Sequence, residues 1–409
     1  MIKIARYSTF ILLLLNVLSF SCINEREAGR AKEFFAGYEN IIPETVPEAE
    51  VDRSELITID IPSSKDQFLQ FDELIDSLYY VKLETNSKCL IGNIDKIISI
   101  KDRLIIIERF NRQSVLMFSD KGEFLTEISK SGKGPGEYVS LSDVAVDKNK
   151  EEIVLFDGRG RKRLFFDLDG KFLREEITYF YSTNFEILAN GNYLYAQLIN
   201  VNMHLPTVSN YNLVVTTPDQ IITQKIFRDE IETQLPNLKD FGNKHNLHAT
   251  GAGVLFTPRF SDTIYEINST GVKAKFHLNM GERYVVRHMQ SHNTVEEYFE
   301  KQNNDKLYEF DGVSFETDNS LFFNISNLGS CFYKKGTGEL VWGNMFSFSS
   351  DKIIGSRMPE GSTGSFFIGV IWPHSLYIAG RKFEESVAQI LEGVEKEDNP
   401  ILFFYSIKD

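Results

Sequence analysis

The sequence predicts an all-β protein: a six-bladed β-propeller with four-stranded antiparallel blades and two short inserted surface helices. Three observations lead to this prediction. An internal repeat recurs at spacings of 48 to 67 residues, 33 Phe and 17 Tyr favour strands, and strand-like segments stand at both ends of the repeat region. Repeats of this length with about four strands each are typical of propellers.

The repeat is clearest in two segments that align without a gap at a shift of 48 residues. They are IIIERFNRQSVLMFSDKGEFLTEI (105–128) and IVLFDGRGRKRLFFDLDGKFLREE (153–176). Each has the pattern of a strand, a polar turn, a second strand, a tight turn and a third strand. Weaker copies follow, and the tight turns of all five fall at Gly122, Gly170, Asp219, Gly271 and Gly338. Glycine suits such turns because they need positive φ.

The ends of the repeat region supply the sixth blade. The last segment, ILFFYSIKD (401–409), has the pattern of a late strand, and LYYVKLET (78–85) could pair beside it to close the ring. Two segments, 285–302 and 381–397, have apolar residues at steps of three and four and are predicted as surface helices.

The N-terminal residues 1–22 have the pattern of an export signal. Lys3 and Arg6 precede an apolar run, Phe10 to Phe20, that is too short to span a bilayer comfortably. The segment ends at Cys22 and resembles a bacterial lipoprotein signal, in which that cysteine becomes lipidated; a plain cleaved signal peptide is the alternative. Residues 23–54 are polar and acidic and are predicted to form a flexible tether before a single domain, 55–409.

Charge and cysteine usage narrow the functional classes. A net charge of −14 disfavours nucleic acid as a partner, because phosphates would be repelled. Cys89 and Cys331 could form one disulfide or remain buried thiols. The chain has no Cys-x-x-Cys pair, and HNLH (245–248) lacks an identifiable third ligand, so we expect no metal site and no cofactor.

Residues 131–170 resemble an NHL repeat. The matching positions are Gly132, Gly134, Gly136, Tyr138, Val146, Asp147, Asp157, Arg163, Phe166 and Gly170. Together with the lipoprotein-like start and the terminal NPILFFYSIK, this resembles the six-bladed β-propeller lipoproteins of Bacteroidetes over about residues 55–409. The resemblance implies a fold and a location outside the cytoplasm, and it implies no particular reaction.

The octapeptide SGKGPGEY (131–138) raises the question of a ligand site. It lacks the Gly-Lys-Ser/Thr and the following helix of a phosphate-binding loop. Between a predicted outer strand and the next inner strand, its glycines and proline suit a sharply turning crossover. A ligand role for Lys133, Glu137 or Tyr138 is the alternative.

Propeller topology places the crossovers between blades and the turns between second and third strands on one face, which we call the crossover face. Cations and histidines predicted there are Arg109, Arg112, Lys133, Arg159, Arg161 and Arg259, with His204, His245 and His248. Such a cluster could hold a carboxylate or sulfate through forked arginine hydrogen bonds. Alternatively, these arginines bridge neighbouring blades or are solvated.

The sequence therefore favours a binding module over an enzyme. We expect a protein outside the cytoplasm, attached to the cell envelope (to the outer membrane in particular) only through a lipid anchor, with a glycan, peptide or envelope protein as its partner. A carbohydrate-active lyase or hydrolase at the channel mouth is the rival hypothesis, because a propeller channel could gather carboxylates that are distant in sequence. A structural subunit of an envelope complex, with the two helices as the interface, is a third.

Overall fold

The computed structural model confirms the predicted six-bladed propeller. It describes residues 29–63, 67–197, 201–229, 247–290, 292–347, 358–377 and 385–409. Six sheets of four antiparallel strands form a ring, and each is a blade whose first strand is innermost.

The blades follow one another along the chain, and the strands of each blade are named from the inside outward. Blade 1 contains Gly361–Ser362, Phe367–Ile371, Ile401–Ile407 and Ile75–Lys82. Blade 2 contains Lys96–Ile100, Arg103–Glu108, Ser114–Ser119 and Phe124–Ile128, and blade 3 contains Asp143–Asp147, Glu152–Asp157, Lys162–Asp167 and Phe172–Ile177. Blade 4 contains Asn184–Ile187, Tyr193–Ala196, Tyr211–Thr216 and Ile222–Arg228. Blade 5 contains His248–Ala249, Val254–Phe256, Thr263–Asn268 and Gly271–Asn279, and blade 6 contains Phe310–Glu316, Ser320–Ile325, Gly329–Lys334 and Leu340–Gly343.

Ring closure occurs in blade 1, as predicted. The outer strand Ile75–Lys82 pairs antiparallel with the C-terminal strand Ile401–Ile407. Aromatic pairs reinforce the seam: the rings of Tyr79 and Phe404 stack with their centroids 4.6 Å apart. Cross-strand aromatic pairs of this kind stabilise a sheet beyond its backbone hydrogen bonds.

The second and third strands of the blades contain short apolar runs, and the burial of these runs explains why the segments form blades. Ile105, Ile106 and Ile107 in the second strand of blade 2 are fully buried, as are Val115–Phe118 in the third. A short continuous apolar run fits a strand that is covered on both faces by neighbouring blades. The outer strand Phe172–Ile177 instead alternates between half-buried and exposed positions.

All five predicted tight turns connect third and fourth strands. Gly122, Gly170 and Gly338 have φ values of 90°, 75° and 74°, the left-handed region that favours glycine. Gly122 has a second constraint, because a Cβ there would lie 2.0 Å from the carbonyl oxygen of Lys82 in the closing strand.

The helices are short. Segment 285–302 contains a 3-10 turn, Val285–His288, and the helix Val295–Asn304, which a Thr294–Glu297 capping box begins. Segment 381–397 contains the helix Glu385–Leu391. Residues 29–34 are also helical, and further short helices in the described part of the chain are Phe71–Leu74 and Pro373–Tyr377, with 3-10 turns at Tyr38–Ile41 and Gly281–Arg283. Within the described residues, no helix is long and apolar enough to cross a membrane.

Residues 29–62, which we call the N-terminal strap, lie against the propeller. Phe35, Ile41 and Val46 are buried on it. Val51–Asp52 and Ile57–Asp60 then pair in parallel with the outer strand of blade 5. From residue 29 onward the segment that suggested a flexible tether is therefore docked on the blades. The predicted signal, with Cys22 as its lipidation site, lies outside the described residues.

Two further short strands follow the strap: Phe68–Gln70 pairs in parallel with Met345–Ser347, which comes after blade 6.

Cys89 and Cys331 are not bridged. Cys89 packs between blades 1 and 2 and Cys331 between blades 5 and 6, both as buried thiols. Burial raises the pKa of both thiols.

Candidate ligand-binding site on the crossover face

The octapeptide 131–138 runs from the outer strand of blade 2 to the inner strand of blade 3. The Glu137 carboxylate accepts a hydrogen bond from the Gly134 amide at 2.9 Å, which closes the turn. Tyr138 is 1% exposed and its hydroxyl donates to the Ile128 carbonyl oxygen at 3.1 Å. These two residues therefore hold the crossover itself, and Lys133 is its exposed charged side chain.

Asp157 fixes the neighbouring turn of blade 3, which carries Arg159 and Arg161. Its carboxylate accepts from the amides of Val139 at 2.6 Å and Gly160 at 2.7 Å. A Cβ at Gly160 would lie 2.0 Å from the Asp157 carboxylate, so only glycine permits this approach. The crossover and the turn are thereby tied into one rigid unit.

This unit surrounds a depression of about 680 Å³ that we call the basic depression. Its cations are Lys133, Arg159, Arg161 and Lys162; the other lining residues are Val139, Gly160, Glu175, Glu176 and Ile177. Lys162 pairs with Glu175 at 2.9 Å. Within the described part of the chain, the other three cations form no ion pair, and Lys133 and Arg159 are exposed.

Arg161 differs from the other two because the N-terminal strap partly covers it. Its guanidinium lies 5.2 Å from the ring centroid of Phe34 and 5.5 Å from that of Phe35. A cation over an aromatic face keeps its charge, so Arg161 still contributes to the positive potential of the depression.

The other predicted cations lie elsewhere on the crossover face and have protein partners. Arg112 pairs with Glu127 at 2.9 Å. Arg259 pairs with Asp229 at 2.8 Å, and both side chains are at most 3% exposed. Arg109 donates to the carbonyl oxygen of Ser142 in the next blade at 3.1 Å. These three arginines therefore stabilise loops and blade contacts, and the structure does not bring them into the depression.

The histidines do not contribute an open site. His204 is 1% exposed, stacks on Phe35 at 4.8 Å and has its pKa lowered by burial. His248 lies on the inner strand of blade 5 against Phe315, and burial lowers its pKa to about 3. His245 lies outside the described residues. Within those residues, no three metal-ligating side chains converge.

The inner strands hold a charged cluster that the sequence analysis did not identify. Lys96 of blade 2 lies 3.4 Å from Asp143 of blade 3 and 2.8 Å from Glu186 of blade 4; we call these three the inner cluster. Burial disfavours the charged form of Lys96, but the two acids outweigh this and raise its pKa. Burial also raises the pKa of Glu186. The first strands of three blades are thus joined by one ammonium group.

Fold and site together define a six-bladed β-propeller with a cationic depression on its crossover face. The chain belongs to the DUF4934 family, described as a domain of unknown function, whose profile matches residues 56–406.

A solved structure has a similar fold. A protein of Bacteroides fragilis NCTC 9343 described as exported is 21% identical, covers 87% of this chain and 100% of its own, and has a TM-score of 0.68. A member of the DUF4221 family from Bacteroides vulgatus ATCC 8482 is 8% identical, covers 82% of this chain and 97% of its own, and has a TM-score of 0.43. A search of the curated proteins finds no match.

Proposed function

We propose that this protein is a binding module that holds an acidic group of a glycan, a peptide or an envelope protein in the basic depression. The proposal rests on one observation. In a chain with a net charge of −14, Lys133, Arg159 and Arg161 share one depression without a carboxylate partner among the described residues. Cations that serve only the fold, such as Arg112 and Arg259, are paired.

The chemistry of these cations suits a carboxylate or a sulfate. An arginine guanidinium can donate two parallel hydrogen bonds to such a group, and lysine adds a compact charge. Asp157 holds the backbone of the turn that carries both arginines, so little backbone freedom is lost on binding.

We also propose that the protein lies outside the cytoplasm and is attached to the outer membrane through lipidated Cys22. The support is the pattern of residues 1–22 and the likeness to the Bacteroides fragilis protein described as exported. Labelling with a radioactive fatty acid should mark the wild-type chain, and a Cys22→Ser variant should lose the label.

An enzymatic function on a carbohydrate is the second candidate, because the inner cluster places Asp143 and Glu186 together on the inner strands. Against it, Lys96 pairs with both carboxylates, and an Asp143 oxygen already accepts from the Phe185 amide at 2.9 Å. An enzymatic function would be favoured if the protein releases reducing ends from an acidic oligosaccharide and Glu186→Gln abolishes that release.

The structural-subunit hypothesis has less support. Among the described residues of the helices Val295–Asn304 and Glu385–Leu391, one large apolar side chain, Phe299, is exposed, at 40%. One side chain falls well short of the broad apolar patch that an interface of this kind requires.

Acidic oligosaccharides and acidic peptides should raise the melting temperature of the protein, and their neutral counterparts should not. A ligand that binds only the folded state at 100 times its dissociation constant stabilises that state by about 2.7 kcal/mol. An Arg159→Ala/Arg161→Ala variant should lose this shift, since both guanidinium groups line the depression. Differential scanning fluorimetry of the chain from residue 23 onward measures it.

Two control variants make the test specific. Tyr138→Phe removes a buried hydroxyl from the crossover and should lower the melting temperature without changing the ligand-induced shift. Lys148→Ala/Lys171→Ala removes two exposed charges from the opposite face and should change neither. Equal loss of the shift in this second control would overturn the proposed site.

A further inference from the structure

The basic depression and the start of the described chain lie on the same face. Residues 34 and 35 of the N-terminal strap contact Arg161, and Phe35 also stacks on His204 in the loop between the second and third strands of blade 4. Phe34 is nevertheless 46% exposed, so one aromatic ring faces solvent beside the cations. Near its start the described chain therefore lies on the crossover face.

The length of that preceding chain limits how far this face can be from a membrane. The apolar run of the sequence ends at Phe20, nine residues before residue 29. Nine extended residues span at most about 32 Å. Cys22 is closer still. Wherever residues 1–22 attach the chain to a bilayer, the crossover face is held near that surface.

The side chains around the depression suit such a surface. Lys133 and Arg159 are exposed cations, and Phe34 and Ile177 are apolar side chains with exposures of 46% and 51%. Cations interspersed with exposed apolar groups are typical of protein surfaces that lie in the headgroup region of a bilayer. A basic patch beside exposed apolar groups adds electrostatic attraction to an anionic surface, whatever lipid anchor the chain carries.

We infer that the crossover face rests on an anionic bilayer and that Lys133, Arg159 and Arg161 bind the phosphate groups of its lipids. This inference rests on the proposed function in that it uses the same basic depression, but it names lipid phosphate, in place of a glycan, a peptide or an envelope protein, as the acidic group. It also goes beyond the sequence analysis, which predicted membrane contact through a lipid anchor alone.

Vesicle cosedimentation tests the inference with the chain from residue 23 onward, which retains every described residue and lacks both the apolar run and Cys22. Vesicles containing phosphatidylglycerol should sediment the protein, and phosphatidylcholine vesicles should not. Lys133→Ala/Arg159→Ala/Arg161→Ala should lower the partition coefficient about 100-fold, since all three cations lie near the anionic surface and each contributes a similar free energy of membrane binding. High salt should also release the protein, because it screens exposed charges. Phe34→Ala should weaken binding less.

A matched variant controls for net charge. Lys121→Ala/Lys148→Ala/Lys171→Ala removes the same three charges from exposed positions on the opposite face and should retain vesicle binding. Equal loss in the two triple variants would overturn the inference. Absence of vesicle binding, with the thermal shift by soluble acidic oligosaccharides intact, would overturn it and leave the proposed function standing. Absence of both effects would overturn both.

Discussion

Replacing Arg163 by alanine should lower the free energy of unfolding by about 3–5 kcal/mol. Arg163 is fully buried between blades 3 and 4. Its guanidinium pairs with Glu176, donates to Tyr195 at 3.2 Å and to the Pro218 carbonyl oxygen at 2.8 Å, and lies 4.4 Å from the ring centroid of Tyr193. Alanine would leave a cavity and several acceptors without their donor. Urea denaturation measures the change.

Two further arginine substitutions distinguish the effect of burial on stability from the effect of the charge. Arg103→Ala breaks an ion pair with Asp169, whose side chain is 78% exposed, and should cost less than about 1 kcal/mol. Arg163→Lys keeps the charge but cannot reach all three acceptors and should recover only part of the stability. A full recovery by lysine would show that the forked geometry of Arg163 is unimportant.

Replacing Lys96 by methionine should cost a similar amount at pH 8, about 3–5 kcal/mol, and less at pH 5. Without the ammonium group, Asp143 and Glu186 remain in the inner cluster with no counter-charge. Burial already raises the pKa of Glu186, and loss of Lys96 raises it further. The folded state then binds more protons than the unfolded state, so the stability of the variant falls as pH rises from the unfolded pKa of Glu186 toward the folded one.

Urea denaturation at several pH values checks this expectation. A second substitution, Glu186→Gln, should restore part of the lost stability in the Lys96→Met background because it removes one unpaired charge. Lys101→Met is the matched control, since Lys101 and its partner Glu151 are both more than half exposed. A deficit that does not change with pH would contradict the electrostatic explanation.

Much of the fold could be predicted because the propeller is encoded repeatedly. Each blade carries buried middle strands and a tight turn, and a weak copy such as the one around Asp219 is recognised through its spacing from stronger copies. Ring closure could be predicted because two terminal segments, 78–85 and 401–409, each had the pattern of a strand without a pairing strand in its own repeat. The spacing of the repeats extends over the whole propeller, so the fold remains recognisable even when one copy of the repeat is degenerate.

The N-terminal strap could not be predicted in the same way. Phe35, Ile41 and Val46 are its buried anchors, yet their spacing matches neither a helix nor a strand. Isolated apolar residues in a polar, acidic segment give no periodic pattern, and their burial depends on pockets that other blades provide.

For the candidate site, the sequence analysis reached the level of one face of the ring and no further. Topology alone placed Lys133, Arg159 and Arg161 on one side of the ring. Whether a given arginine is available depends on acids from other elements, such as Glu127 beside Arg112 and Asp229 beside Arg259. Lys162 was missed because its position inside a strand gave no indication that it lines the depression.

The pairing that closes blade 1 has a consequence for biosynthesis. Val81 pairs with Leu402, which the ribosome adds 321 positions later. At about 5–20 residues per second, the strand Ile75–Lys82 waits roughly 16 to 64 s for its partner. During that interval it offers an unpaired edge carrying Tyr79 and Tyr80, and such edges favour aggregation. Completion of the ring therefore comes long after the strand Ile75–Lys82 has been synthesised, and holding this one strand apart is a task suited to a chaperone.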